Sequence, residues 1–515
     1  MKGLLCWAFL PSLFAGAVSL AAAQTGGNSQ PPQSGYTLHA KVREVITDVL
    51  VTDRNGNPIH GLSESAFHIF DNGKPQHLAV FEEHTQADAS ATLPGHAANV
   101  YSNDVIVHPP RVFNIILLDT ATITVPDQMY LRQQLDHFIK QLPADEPFAV
   151  LARSTEHTIM LADFTTDHQR LLSAIHRQLP RILPPGSRYM TDGPLMAEIC
   201  SYLQQYPGRK NVLWFNGGSN LALTPDPTTG LVALPDMRWL YDQLELARIA
   251  LYPIDVRGLQ VAPFPGETTQ HFIMEDEADT TGGRLVFNNN GIADAARKIA
   301  DTDASFYTLT YSPQDIKLDN KWHKVKVTVD GGGYQLSYRR GYFDDGSNLK
   351  QEQNPDRKRL LQNGEAVADA QLPPIVFDVR VNPVDQTQSA AVPAAGLSPA
   401  EPPKKGEHAF TMHYILPADA LPEQTVGTEE KFTVGVGVLG FNEYGRSVAR
   451  VTKKVILGVS QEHAAALQSG AKISFDQVVN LPDGNDSLFV VVWNTDTGRL
   501  GTVQIPLTVG KAHAD

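Results

Sequence analysis

Residues Val112 to Thr124 read VFNIILLDTATIT, an apolar run that ends on Asp119 and gives way to small hydroxyl residues. An unbroken run of this kind suits a strand covered on both faces, as in parallel sheets flanked by helices. A carboxylate at the carboxyl end of such a strand stands where open α/β sheets place their ligands. The alternate positions after it, Ala121 and Ile123, carry no side-chain oxygen. The stretch therefore points to a binding fold while lacking two of the oxygens that a hard metal ion would need there.

Around this run the chain alternates strands with helices from Arg111 to about Ala304. Strand candidates are Phe113–Leu118, Phe148–Ala152, Val212–Phe215, Leu251–Ile254 and Arg284–Phe287. Helical candidates are Asp127–Gln141, Asp167–Gln178, Gly193–Gln205, Met237–Ala250, His271–Thr280 and Ile292–Asp301. The rhythm predicts an α/β unit over 109–304, a doubly wound and mostly parallel sheet covered by helices. On either side the period changes to two. In VREVITDVLVTD the apolar residues recur with period two, and Asp71-Asn72-Gly73 supplies a hairpin turn within 36–108, joining Phe67–Phe70 to the segment around Leu78–Phe81. Residues Gln86 to His108 read as an irregular bridge. FYTLTY, KVKVTV and YQLSYRRGYF return to strands over 305–345, and these are expected to complete one sandwich with the first β-segment, because each flank alone has few strands to close a core. A charged linker over 346–371 leads to 372–510, where about seven strands predict an antiparallel β-sandwich with a mobile Ala390–Lys405 loop.

The first 23 residues combine Lys2, an apolar stretch from Leu4 to Ala21 and the tripeptide Ala21-Ala22-Ala23, a secretory signal peptide with its cleavage site. A polar tether, 24–35, follows it. The expected destination is the cell envelope or the exterior, with no membrane span after cleavage. The net charge of −14, one unit more negative once Lys2 is gone, argues against nucleic-acid and anionic-membrane partners. Of the two cysteines, Cys6 lies in the signal segment, so Cys200 has no intramolecular partner and reads as an inert buried thiol.

The segments VLVTDRNGNPIHGLSESAFHIFDNGKPQHLAVFEEH, FNIILLDTATIT, GRKNVLWFNGGSN, LYPIDVRG, ADTTGGR, FYTLTYSPQD and WHKVKVTVDGGGYQLSYRRGYF occur in that order. Together they resemble the VWFA-related domain proteins of the acidobacterial type, over Tyr36 to Phe343, about three-fifths of the chain. The resemblance implies a von Willebrand factor A-like domain inserted between β-sandwich elements. In metal-binding members an Asp-x-Ser-x-Ser run, a Thr from a second loop and an Asp from a third hold Mg²⁺ or Ca²⁺. Carried over by position, Asp119 matches the first Asp and Thr191 the Thr. Ala121 and Ile123 fall on the two Ser positions, and Asn216 stands in place of the third-loop Asp. The site is degenerate, and the expectation is no cofactor. A shifted loop would offer Thr120, Thr122 or Thr124, with Asp192 beside Thr191. The preferred reading has Thr124 capping a helix that starts near Pro126, and Asp119 bonding loop amides.

Catalytic signatures are absent: no H-E-x-x-H, no G-x-S-x-G, no phosphate loop and no paired metal-type cysteines. His60, His68 and His77 are spaced too irregularly for a metal cage, and Glu275-Asp276-Glu277 reads as a solvated helix face. Asp255 and Arg257 end a strand as an ion pair bracing the rim. The sequence thus predicts a non-enzymatic, exported protein that binds a protein partner or assembles in the envelope. Its contact rim would comprise Thr120, Thr122, Thr124, Asp192, Asn216, Ser219, Asp255 and Arg257. Two other classes stay open: a secreted hydrolase or accessory subunit with an unrecognised site, and a purely structural module.

Overall fold

The computed structural model describes residues 44–85, 97, 99–106, 112–153, 158–181, 192–219, 236–259, 267–313, 321–343, 374–384, 401–421, 423–426, 429–442, 446–460, 472–497 and 499–510. The signal segment, the tether, the linker over 346–371, Thr191 and most of the Ala390–Lys405 loop lie outside these residues. The described elements belong to one unit, Arg43–Asp515.

Four apolar runs, Val112–Leu118, Phe148–Arg153, Arg209–Asn216 and Ile249–Asp255, form parallel strands in which every residue is buried. Thr158–Thr165, where no strand is expected from the sequence, pairs antiparallel with Phe148–Arg153 and closes one edge. Across the sheet the order is Ile249–Asp255, Arg209–Asn216, Val112–Leu118, Phe148–Arg153, Thr158–Thr165. In order along the chain that is fifth, fourth, first, second, third. The strand expected at Arg284–Phe287 is reduced to a single parallel bridge, Ile254 to Val286. The cause is Pro253. Val286 donates to its carbonyl and accepts from Asp255 N, both at 2.9 Å, but proline has no amide hydrogen for the carbonyl of Arg284, so the ladder does not extend in that direction.

Helices cover both faces because both faces of the strands are apolar. Helices α1 (Val125–Lys140), α2 (His168–Gln178) and α6 (Ile292–Thr302) pack Leu135, Phe138, Leu171, Ile175, Ala296 and Ile299 on one side. Helices α3 (Asp192–Leu203) and α4 (Asp236–Leu246) pack Leu195, Ile199, Cys200, Leu203, Leu240 and Leu244 on the other. Helix α5 (Glu267–Thr281) buries Met274 and Ala278. Cys200 is fully buried, and burial pushes its thiol far above the ordinary range.

The strands before and after this unit mix. One sheet runs Gln335–Ser337, Val45–Thr52, Phe306–Tyr311, Leu78–His84; the other runs Gly341–Phe343, Trp322–Val329, Phe67–Asp71, Lys74–Gln76. The Asn72-Gly73 turn, with φ of 47° and 80°, has both central residues in the left-handed region that a two-residue hairpin loop needs. It joins Phe67–Asp71 to Lys74–Gln76, and Leu78–His84 then passes to the opposite sheet. The sandwich core continues into the face of the central sheet that carries α3 and α4. Across that junction Asp48 accepts from Arg248, with Arg248 Nε at 3.3 Å, and from Thr308 Oγ1 at 2.8 Å.

The C-terminal sandwich has one sheet of Lys472–Pro482, Glu407–Pro417, Asp378–Pro383 and Val100–Ser102. The other contains Glu423–Val426, Glu429–Asn442, Asn485–Asn494 and Leu500–Pro506, with Ser447–Ser460 on the free side of Glu429–Asn442. Val100–Ser102 comes from the stretch expected to be an irregular bridge. Asn103 pins it: its amide donates to Ile375 O and its carbonyl accepts from Phe377 N, both at 2.9 Å. Strand Leu500–Pro506 faces the edge strand Thr158–Thr165. There Gln504 Nε2 donates to Met160 O at 3.2 Å, and Gln205 Oε1 accepts from Thr502 N at 3.2 Å and Thr502 Oγ1 at 2.7 Å.

Two junctions give two expected outcomes. Burial, the largest influence on Asp48, opposes its charge, but Arg248 and Arg209 overcome it and hold the carboxyl below its usual value. Asp48→Ala should cost about 3 kcal/mol in urea unfolding at pH 7, since it strands a half-buried guanidinium. A carboxyl held low stabilises above its unfolded pKa of about 3.9 and loses that contribution as pH falls through the folded value. The wild-type advantage over Asp48→Ala should therefore hold from pH 7 to 5 and shrink below about pH 4. At the other junction, Gln205→Ala leaves two buried Thr502 donors unpaired and should cost about 1–3 kcal/mol, read by the same unfolding curves.

Candidate functional site

All four parallel strands point their carboxyl ends the same way, so Asp119, Arg153, Asn216 and Asp255 arrive together at one end of the sheet. Register does the placing. Leu118 pairs with Ala152 on one side and Phe215 on the other, which sets Asp119 between Arg153 and Asn216.

Asp119 is wholly buried, and its carboxylate is fully used. Oδ2 accepts from Arg153 Nη1 at 2.8 Å and Trp214 Nε1 at 3.3 Å, while Oδ1 accepts from the Ala121 amide at 3.2 Å. The same guanidinium reaches Asp192, the first residue of α3, through Nη2 at 2.7 Å. Arg153, Asp119 and Asp192 have side chains only 4 %, 0 % and 7 % exposed. Burial is the main influence on Asp119, and together with the nearby Asp192 it pushes the carboxyl up to about 6 despite Arg153. The Ser219 hydroxyl lies between two carboxylates: it donates its proton to the buried Glu277 of α5, and its oxygen stands 3.4 Å from Asp192 Oδ2. Glu277, expected on a solvated face with Glu275 and Asp276, instead points inward, because α5 turns that position towards the sheet end.

The hydroxyl residues after Asp119 build the loop. Thr122 Oγ1 donates to Asp119 O at 3.2 Å and accepts from Gly217 N at 3.0 Å, tying the first loop to the third. Only glycine fits at 217, since a Cβ there would lie 2.2 Å from Thr122 O. Thr124 caps α1: its oxygen accepts from Asp127 N at 3.4 Å and its hydroxyl donates to Asp127 Oδ2 at 2.6 Å. Thr120 is buried, with a hydroxyl that has no hydrogen-bond partner among the described residues. Asn216 folds back on its own loop, accepting from Gly218 N at 2.9 Å and donating to Trp214 O at 3.2 Å.

Asp255 ends the neighbouring strand. Its Oδ1 accepts from Arg257 Nε at 2.8 Å and its Oδ2 from Arg257 Nη2 at 2.7 Å, and His271 Nε2 lies 2.7 Å from the same Oδ2. Burial opposes its charge, but Arg257 and His271 prevail and hold the carboxyl below the usual range.

Of the expected contact rim, Thr122, Thr124 and Arg257 reach solvent. Thr120, Asp192, Asn216, Ser219 and Asp255 are buried: Asp192, Ser219 and Asp255 bond to other segments, Asn216 bonds within its own loop, and none can touch a partner in this conformation. Among the described residues the end does not fit a divalent ion as the chain stands. The lone pairs of Asp119 and Asp192 that would face it are engaged by the Arg153 guanidinium, and Ala121 and Ile123 offer none.

Beside these polar groups, five exposed apolar side chains surround this end. Val125 and Met129 open α1, Leu259 follows the Asp255 strand, Phe272 lies in the second turn of α5, and Phe287 follows the Val286 bridge. They are 39 %, 46 %, 63 %, 69 % and 46 % exposed. The polar groups beneath link them: Leu259 N donates to Asn290 Oδ1 at 2.9 Å, Tyr130 of α1 donates to Asn290 O, and the rings of His271 and Phe287 stand 4.8 Å apart. Sequence reasoning missed both Arg153 and this apolar fringe. The one available signal was a charged residue closing the apolar run FAVLAR directly beside the strand that ends on Asp119.

Neither family models nor curated proteins match this chain. Solved structures do, at low similarity. The von Willebrand factor type A protein from Catenulispora acidiphila is 10 % identical with a TM-score of 0.27, covering 55 % of this chain and 74 % of that one. The SpRpn10 VWA domain is 14 % identical with a TM-score of 0.22, covering 34 % and 86 %. The PilB minor pilin from Streptococcus sanguinis is 12 % identical with a TM-score of 0.26, covering 41 % of this chain, which spans 64 % of the pilin's length. With TM-scores below 0.5, these likenesses assign neither a family nor a function to this chain.

Proposed function

We propose that this protein is an exported, non-enzymatic binding or envelope-assembly protein whose partner, another protein, docks on the carboxyl end of the central sheet. The central unit is read as a von Willebrand A-type domain, a doubly wound sheet held between sandwich strands. Two things support that reading: the ordered run of seven matched segments, and a first strand that ends on Asp119 in the middle of the sheet. Export rests on the amino-terminal signal segment.

One observation carries the docking surface. Five of the eight large apolar side chains that are strongly exposed among the described residues gather at this single end. Apolar groups clustered on a surface, rather than scattered singly, mark contact sites. Hydrogen bonds tie Leu259 and Tyr130 of α1 to the same Asn290, which lowers the entropy lost when a partner binds. Arg257 and Thr124 supply polar contacts at the margin.

The test is capture of partners from envelope and culture-fluid fractions by wild type and by a Leu259→Asp/Phe272→Asp variant, with Val80→Asp as a control elsewhere on the surface. Exposed substitutions should leave the unfolding midpoint almost unchanged. Partner recovery should fall with the rim variant alone, by about 30-fold in affinity for a central contact worth ~2 kcal/mol. Equal recovery by all three proteins would favour the purely structural module.

A further inference from the structure

We infer that Arg153 is the resident cation of this site: its guanidinium holds Asp119 and Asp192 together, in place of a divalent ion, so that the rim is built without metal. The inference uses the A-type reading only to name the ion that is replaced, and its test reads ions rather than partners.

Three features of the site converge on this role. The first is geometry. The two terminal nitrogens of one guanidinium, at 2.8 and 2.7 Å, contact two carboxylates that come from different segments, the loop after Val112–Leu118 and the start of α3. A planar, permanently charged fork can serve two carboxylates at once; a lysine ammonium, as a single point charge, holds such a pair less rigidly. The second is burial. All three side chains are shielded from water, and buried carboxylates persist only when paired or coordinated. The third is the pattern of missing oxygens. Ala121 and Ile123 occupy the positions from which an ion would take hydroxyl ligands, and Asn216 turns its side chain into its own loop. A site that already holds its positive charge has no use for those oxygens.

Arg153 is therefore a positioning residue, and its removal has a consequence that a merely structural ion pair would not share. Two carboxylate oxygens that now face neighbouring nitrogens of one group would face a common space. A small divalent ion with water in its remaining positions can bridge such oxygens at about 2.0–2.4 Å.

The experiment uses the full chain and compares wild type, Asp119→Asn, Arg153→Ser, Arg153→Lys and the double variant Arg153→Ser/Asp119→Asn. Thermal midpoints are recorded with MnCl₂, MgCl₂, CaCl₂ or EDTA, and bound Mn²⁺ is counted by electron paramagnetic resonance. Wild type and Arg153→Lys should show the same midpoint in every condition and no Asp119-dependent Mn²⁺. Arg153→Ser should melt lower in EDTA, take up one Mn²⁺, and regain about 3 °C when the ion is at a hundred times its Kd. The double variant should lose that response. Should Arg153→Ser fail to fold, Arg153→Gln, which keeps the bulk and drops the charge, is read the same way. Mn²⁺ bound by wild type in an Asp119-dependent manner would overturn the inference. So would charge-removed variants that bind no more Mn²⁺ than wild type.

Discussion

The antiparallel pairing of Val45–Thr52 with Phe306–Tyr311 is the contact on which the remaining architecture depends. It closes a loop of some two hundred and fifty residues, within which the central sheet and its six described helices lie. Closing so long a loop costs entropy only logarithmically in its length, so a five-rung ladder backed by an apolar core can sustain it. Tyr307 and Tyr311 of the second strand pack into the same core as Phe67 and Val325, and that core runs on without a break into one face of the central sheet. The α/β unit therefore sits on the sandwich as a fused body, with its carboxyl end away from the Asp48–Arg248 junction.

Charge is handled in the same manner at both ends of the central sheet. Arg248 crosses to Asp48 at the amino end, and Arg153 spans Asp119 and Asp192 at the carboxyl end. In each case a guanidinium reaches a segment that the ladder does not connect to its own strand, Val45–Thr52 for Arg248 and the start of α3 for Arg153. At the carboxyl end the chain of contacts continues through Ser219 to Glu277, so the first strand loop, α3, the fourth-strand loop and α5 are held by one polar network. Buried networks of this kind are costly when broken and give a loop cluster one conformation instead of several. That rigidity suits a surface whose exposed groups are apolar.

Much of the central sheet was legible because its strands are covered on both faces. Apolar runs that end abruptly on Asp119, Asn216 and Asp255 are what a doubly covered parallel strand requires, and Thr124 with Pro126 marks the start of α1 by local chemistry alone. What could not be read depends on partners far away in the chain. Thr158–Thr165 alternates too weakly to declare itself before Phe148–Arg153 pairs with it, and Val100–Ser102 is three residues whose partner lies near residue 380. Pro253 was visible, but its effect on Arg284–Phe287 required knowing that the two segments are neighbours. The site shows the same limit. Asp119 was legible as a strand end, whereas Arg153 acquired its role from register, and Glu277 from the rotation of α5 about its axis.

Val100–Ser102 also has a consequence in time. A ribosome delivers this segment long before Asp378–Pro383, the strand it will border, and the whole α/β unit is made in between. Until synthesis is almost complete, Asn103 lacks the two backbone groups it will bind, and the stretch before the central sheet has no sheet to join. The C-terminal sandwich, conversely, finishes one of its own edges with a strand made hundreds of residues earlier. Long-range pairings of this kind form late and slowly. A fragment beginning near residue 372 would leave Asp378–Pro383 as an open edge, free to pair with another copy. The C-terminal sandwich therefore depends on a strand from before the central sheet to cover its edge, and a fragment without that strand would present the edge as a site of aggregation.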